Sequence, residues 1–164
     1  MNAIKEFFKL AKMLFTSRPS DQDEVELMSM THFPFSGYAF MMWCGKMVYR
    51  AENEDIIDAY METEKGKVSK NHENIHLQQA KDKGSWIKYY LSYLKEWLKG
   101  NPITHPASSA YYTIPYEMEA YANADNLDYL STRTAEDLNK YKIKDRKQTY
   151  RANRNDWYTY LKTL

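Results

Sequence analysis

The sequence of 164 residues predicts a predominantly helical α+β fold with one small sheet. Three observations carry that expectation. Apolar residues recur at helical spacing in separate segments, as in Ile4, Phe7, Phe8, Ala11, Leu14 and Phe15. Strand character is confined to residues 38–43 and 46–49, two short aromatic and methionine-rich runs around Cys44-Gly45, which read as a small β-hairpin or a bent strand pair. The 43% hydrophobic content is ample for a core. The length suits a single domain over residues 1–164.

Composition narrows the classes further. The net charge of +1 gives no electrostatic grip on nucleic acid, so no nucleic-acid partner is expected. The lone Cys44 excludes an internal disulfide and a multi-cysteine metal knot, and reads as a small buried hydrophobe. Fifteen Tyr, four Trp and nine Met point to a core or groove lined by large amphipathic side chains.

The elements follow in order. An amphipathic helix spans residues 3–16 and ends before Arg18-Pro19, because proline disfavours helical geometry in the residue before it. Lys5, Lys9 and Lys12 interrupt its apolar residues, so it resembles neither a secretory leader nor a membrane span. The cytoplasm is the expected address. The helix packs on its own domain or, alternatively, lies on a membrane surface as a peripheral contact. Residues 21–26 read as an acidic connector, and the segment from His32 to Gly37 as turn chemistry. Residues 52–64, with six acids, read as a short helix or a loop that Gly66 breaks.

A helix is expected over about 69–83, stopped by Gly84. Ser85 caps the next, over 86–99, closed by Gly100. Its stripe of Trp86, Tyr89, Tyr90, Tyr93, Leu94, Trp97 and Leu98 reads as core or as a membrane-interface face. Residues 101–109 form a loop. Pro115 opens a helix running to about Leu130. The helical tail, 135–164, is basic and docks through Trp157, Tyr158, Tyr160 and Leu161.

The chemistry lies in His72-Glu73-Asn74-Ile75-His76, an H-E-x-x-H run inside the helix expected at 69–83. Histidines four apart stand one above the other on a helix face, so both imidazoles can reach one ion. Zinc takes imidazole nitrogen, and catalytic zinc sites use three protein ligands plus water. Glu73 points to the side of that ion, where it can take a proton from water. A third ligand should come from another helix. Glu117, Ala120, Ala124 and Leu127 share one face by spacing, and the alanines let that helix approach closely. Glu117 is therefore the chosen ligand. Glu119 is the fallback, on a polar stripe with Asn123 and Asn126 suited to water. The remaining histidines, His32 and His105, sit beside prolines in loops.

HENIHLQQ followed by YEMEAYAN resembles the gluzincin branch of the zincin metallopeptidases in a minimal one-domain form, over about residues 38–130. The resemblance implies a zincin-like domain that binds Zn2+ through His72, His76 and Glu117, with Glu73 as general base and Ala120 as the small neighbour of the third ligand. It implies hydrolysis of a peptide or protein substrate. The strand pair would match the family's edge strand, along which an extended peptide adds by main-chain hydrogen bonds. Asn74 is polar where such motifs usually carry an apolar residue, and Tyr121 stands where an Asp or Asn is common. Asn123 or Asp125 would then support a ligand histidine. His105, Tyr112 and Tyr116 are candidates for stabilising the oxyanion. A zinc-stabilised binding or scaffold protein is the alternative.

Overall fold

The computed structural model describes residues 2–34, 39–100 and 107–164. It is a predominantly helical α+β fold, with α-helices set around one three-stranded sheet. Helix α1 (Ala3–Thr16) starts at Asn2, whose Oδ1 accepts from the Ile4 N–H at 3.0 Å. Its packing face differs from the expected apolar set. Glu6 and Leu10 are buried and Met13 and Leu14 face the core, whereas Ile4, Phe7, Phe8 and Phe15 are exposed. Glu6 explains the inversion. Its carboxylate accepts the backbone N–H groups of Thr31 (2.7 Å) and His32 (2.9 Å) and so ties α1 to the end of the first strand.

The sheet comprises β1 (Glu26–Met30), β2 (Met41–Trp43) and β3 (Lys46–Arg50), in the order β1-β3-β2. The predicted hairpin is the antiparallel β2–β3 pair. Both residues of its turn have positive φ, Cys44 at 50° and Gly45 at 78°, the geometry of a two-residue hairpin turn. A Cβ at Gly45 would also sit 1.3 Å from the Gln22 Oε1. Strand β1 has no counterpart among the expected elements. It pairs parallel with β3, but Glu-Leu-Met-Ser-Met contains no β-branched or aromatic residue and carries no strand signal. Tyr38 lies outside the described residues.

Helix α2 (Glu54–Glu62) is followed at once by α3 (Glu64–Lys83). Helix α3 starts five residues before the expected Ser69, because Thr63 caps it by accepting the Gly66 N–H at 3.0 Å. Gly66 does not break the chain. It sits in the first turn of α3, where a Cβ would come 2.1 Å from the Tyr60 carbonyl oxygen; only glycine lets the two helices meet so closely. Gly84, at φ 73°, ends α3 in the left-handed conformation, and Ser85 caps α4 (Trp86–Lys99), both as expected.

Helix α5 (Ala107–Tyr112) occupies part of the expected 101–109 loop; residues 101–106 lie outside the described residues. Helix α6 (Pro115–Asn123) stops seven residues short of Leu130. The Asn71 side-chain amide explains the early stop: its Nδ2 donates to the carbonyls of Asn123 (3.3 Å), Ala124 (2.9 Å) and Asn126 (3.0 Å). The chain turns there and resumes as α7 (Tyr129–Thr132). The tail contributes a 3-10 turn (Asp137–Tyr141), α8 (Arg146–Ala152) and α9 (Trp157–Leu161), with Trp157 and Leu161 buried against Met118 of α6 as expected for a docked tail.

Helix α3 is the hub, touching α2, α4 and α6. The main core holds Met47, Leu77, Ala80, Trp86, Tyr89, Ile114 and Tyr116. Cys44 lies in it, fully buried, and desolvation pushes its thiol pKa up to about 12, so it is an inert hydrophobe rather than a ligand. Among the described residues no helix is long and apolar enough to cross a membrane.

Candidate metal centre

His72 and His76 stand one turn apart on α3 and face α6, which presents Glu117 from its first turn. The His76 Nε2 lies 3.1 Å from the His72 Nε2 and 3.4 Å from the Glu117 Oε1. The His72 Nε2 lies 3.5 Å from the Glu117 Oε2. A tetrahedral zinc ion with bonds of about 2.0–2.1 Å holds its ligand atoms about 3.3–3.4 Å apart. The two carboxylate contacts run through different oxygens; with one ligand atom taken from each residue, all three atoms lie within 4.8 Å of one another, close enough to converge on one ion. All three side chains are at least largely buried.

Helix α6 packs against α3, and Ala120 and Ala124 of the small-residue face are both buried. Leu127, placed on that face by spacing, lies beyond the helix end and is exposed.

The charges fit a cation. Burial opposes the ionised form of Glu117, yet the two imidazoles outweigh it and hold its carboxyl well below the usual range. Burial also opposes a charged His76, but the Glu117 carboxylate raises its pKa to about 9. Tyr93 donates to the Glu117 Oε1 at 2.7 Å, and Tyr111 to its Oε2 at 2.8 Å. Glu117 is thus fully engaged by neutral donors and imidazoles, with no lysine or arginine among its hydrogen-bond partners in the described residues.

Behind His76 the donor pattern can be read out. The Gln79 Nε2 donates to the Tyr116 carbonyl (3.0 Å) and to the Glu119 Oε2 (2.9 Å). That orients the Gln79 Oε1 towards the His76 Nδ1, 2.8 Å away. The Nδ1 must therefore carry the hydrogen in the neutral ring, which leaves the Nε2 lone pair aimed at Glu117 and His72. Tyr121 lies against the His72 ring, with centroids 4.5 Å apart.

Glu119, the fallback ligand, does not face the histidine nitrogens or water. It is fully buried and bonded to Arg133 (2.5 Å), Tyr129 (2.9 Å) and Gln79. The expected support from Asn123 or Asp125 is not found either. Asn123 donates to the Glu119 carbonyl and to Tyr141, and Asp125 pairs with Lys162. Gln79 and Tyr89 take that role instead; the Tyr89 hydroxyl lies 3.2 Å from the His76 Nδ1. Asn74 is polar because its Oδ1 accepts the Val25 N–H at 2.7 Å and anchors β1 to α3.

Glu73 opens with His72, His76 and Glu117 onto a cavity of about 330 Å³. Among the described residues it makes no hydrogen bond. Desolvation is the main cause that raises its pKa, with Glu117 adding to it and the two histidines working against it. A larger cavity, about 640 Å³, lies between α4 and the basic tail and includes none of these residues.

The rest of the 330 Å³ cavity is walled by Phe40, Met41, Met42 and Trp43 of the edge-strand region, and by Tyr89, Tyr90, Tyr93 and Tyr111. Of the oxyanion candidates, Tyr116 is buried against Ser92 and Tyr112 packs among tail aromatics, so neither lines this cavity. His105 lies outside the described residues. His32 pairs with Glu6, away from the cluster. Sequence spacing does not single out the α4 tyrosines as site residues, since a helical stripe has the same form in a core and in a cavity wall. Comparison with protein-family models, curated proteins and solved structures gives no match to this chain.

Proposed function

We propose that this protein is a zinc-dependent hydrolase of the zincin type, acting on peptide bonds. The observation that carries the reading is the set of 3.1, 3.4 and 3.5 Å separations among His72, His76 and Glu117, with Glu73 beside them in the same cavity. The donor set of two imidazoles and one carboxylate is the chemistry of a catalytic zinc site. Zinc bound there would supply Lewis-acid polarisation of a carbonyl and acidification of water to a pKa near about 7.

The chain's own residues supply the rest. Glu73 has no competing hydrogen bond among the described residues, and its raised pKa suits it to take a proton from water and deliver it to the leaving amine. Gln79 holds the His76 ring with its Nε2 towards the site. Tyr93 and Tyr111 hold the Glu117 carboxylate from both oxygens. Among the described residues strand β2 has a partner on one side only, and its residues border the cavity. An extended peptide would pair along that edge, its side chains against Phe40, Met42 and Trp43.

The test is zinc content and turnover together. Protein purified without chelator should carry close to one equivalent of zinc, lost in His72→Ala. A mixed peptide library followed by mass spectrometry should show cleavage by the wild type. Glu73→Gln should abolish cleavage and keep both zinc and fold. Zinc near zero in the wild type would overturn the reading. Zinc retained without any cleavage would leave a zinc-stabilised binding protein in its place.

A further inference from the structure

Two helices that are far apart in sequence repeat one uncommon pattern. Successive residues of a helix advance about 100°. On α1 the buried sector holds Glu6, Leu10, Met13 and Leu14. Beside it, Phe7, Ile4, Phe15 and Phe8 form a contiguous sector exposed by 59%, 62%, 78% and 66%. The next sector is Lys12, Lys5 and Lys9, all exposed. On α4 the inward sector holds Trp86, Tyr89, Tyr90, Tyr93 and Trp97. Beside it, Leu94, Ile87, Leu98 and Leu91 are exposed, and then come Lys95, Lys88 and Lys99.

Each helix is thus apolar on two sides, one spent on the core and one left to solvent, with a lysine row along the outer border. A solvated helix gains nothing from the second apolar sector. An interfacial helix needs it, together with cations that reach anionic headgroups.

The helices also belong to one part of the molecule. The Trp43 ring stacks on Tyr90 of α4 with centroids 4.8 Å apart, and its Nε1–H donates to the Leu10 carbonyl of α1 at 2.8 Å. Within the two helices themselves negative charge is sparse, and of the acidic connector that follows α1, Glu24 and Glu26 are paired with Lys70 and Lys46. The one acid of α1, Glu6, is buried, and the one acid of α4, Glu96, is paired with Lys99 and Arg146. The longest acidic run lies on and beside α2, where residues 52–64 carry six acids and no base.

We propose that α1 and α4 together dock this protein on an anionic lipid bilayer. The exposed phenylalanines of α1 and the leucines of α4 enter the acyl boundary, and the two lysine rows rest among the headgroups. This assignment is independent of the zinc reading. It uses none of the residues of the metal cluster.

The full chain should be sedimented with vesicles of phosphatidylcholine alone and with vesicles containing a third phosphatidylglycerol. Binding is expected only, or far more strongly, to the anionic vesicles, and should weaken as salt is raised. Phe7→Glu with Phe8→Glu should lower the partition coefficient at least about tenfold, and Leu91→Glu with Leu94→Glu should do so separately. Replacing one exposed lysine, Lys9→Gln, should cost about fivefold. All these positions are exposed, so circular dichroism should show unchanged helix content. No binding of the wild type to anionic vesicles at low salt would overturn the proposal. So would a wild-type dimer in sedimentation velocity that Phe7→Glu converts to monomer, since a second copy would then cover the face. Binding lost in the α1 variant but unchanged in the α4 variant would overturn the two-helix form.

Discussion

Two carboxylates on one short helix meet opposite fates. Glu117 and Glu119 both lie on α6 and are both buried, at 4% and 0% exposure. Glu119 faces a permanent cation. The Arg133 Nε and Nη2 bind its two oxygens, and Tyr129 and Gln79 complete the shell. Glu117 faces two imidazoles and two phenols. His76, with its pKa raised to about 9 by Glu117, carries the balancing charge while no metal is bound, but an imidazolium can give up its proton where an arginine cannot. A buried carboxylate with arginine in its shell is finished structure. One balanced by a proton on a metal-type ligand can exchange that proton for a metal cation. Spacing alone does not separate the two residues; the identity of the cation does.

The largest effect should follow from removing the finished pair's cation. Arg133→Met leaves Glu119 buried and uncompensated, and should cost about 3–5 kcal/mol. Urea denaturation of metal-free protein would measure it. A loss under about 1 kcal/mol would erase the contrast between the two sites. Next is the effect of zinc itself. Free zinc at a hundred times its dissociation constant should stabilise the wild type by about 2.7 kcal/mol. Glu117→Gln should lose most of that gain, while Glu119→Gln, though less stable from the start, should keep it. Equal zinc responses in the two variants would mean that α6 contributes no ligand.

Much of this site is legible in the residues alone, because an H-E-x-x-H run fixes its own geometry through the helical repeat. Once α3 is a helix, His72 and His76 must share a face. Glu117 is legible because two alanines mark the side of α6 that can approach closely. What stays hidden is tertiary. Gln79 lies three residues beyond His76, but its role depends on Glu119 and the Tyr116 carbonyl, which come from another helix. The Tyr89–Tyr93 stripe promises only burial, and a cavity wall is buried too. Strand β1 escapes a reading of its residues because they favour no strand by themselves. It forms because β3 offers a parallel partner and Asn74 accepts the Val25 N–H just before it. Gly66 misleads because glycine signals a break as readily as a close approach. On α1, apolar periodicity identifies a helix correctly but not which side of it packs.

Glu6 gives a third kind of buried carboxylate and a smaller expected effect. Burial raises its pKa, but the Thr31 and His32 N–H groups outweigh this and leave it lowered. Its stabilisation should therefore be complete above the unfolded glutamate value of about 4.3 and be lost as the pH falls through the lower folded value. Glu6→Gln places an amide N–H₂ against one of two backbone donors and should cost about 2 kcal/mol at pH 7. The cost should shrink below about pH 4, where the wild-type carboxyl is itself being neutralised. A cost that does not change between pH 7 and pH 3 would show that shape rather than charge joins α1 to β1.

The smallest effect tests whether the two carboxylate sites are separate. Tyr111 serves Glu117 and Tyr129 serves Glu119, each through one phenol hydrogen bond at 2.8 and 2.9 Å. Tyr111→Phe should cost about 1 kcal/mol, because Tyr93 and the imidazoles remain. Combined with Glu117→Gln, much of that cost should vanish, since the phenol has then lost its charged acceptor. Tyr129→Phe combined with Glu117→Gln should be additive within about 0.5 kcal/mol. The two cycles together measure what the bridge through Gln79 transmits. If Tyr129 couples to Glu117 as strongly as Tyr111 does, α6 carries a single polar network, and the cation at Glu119 would already influence the place where zinc is proposed to bind.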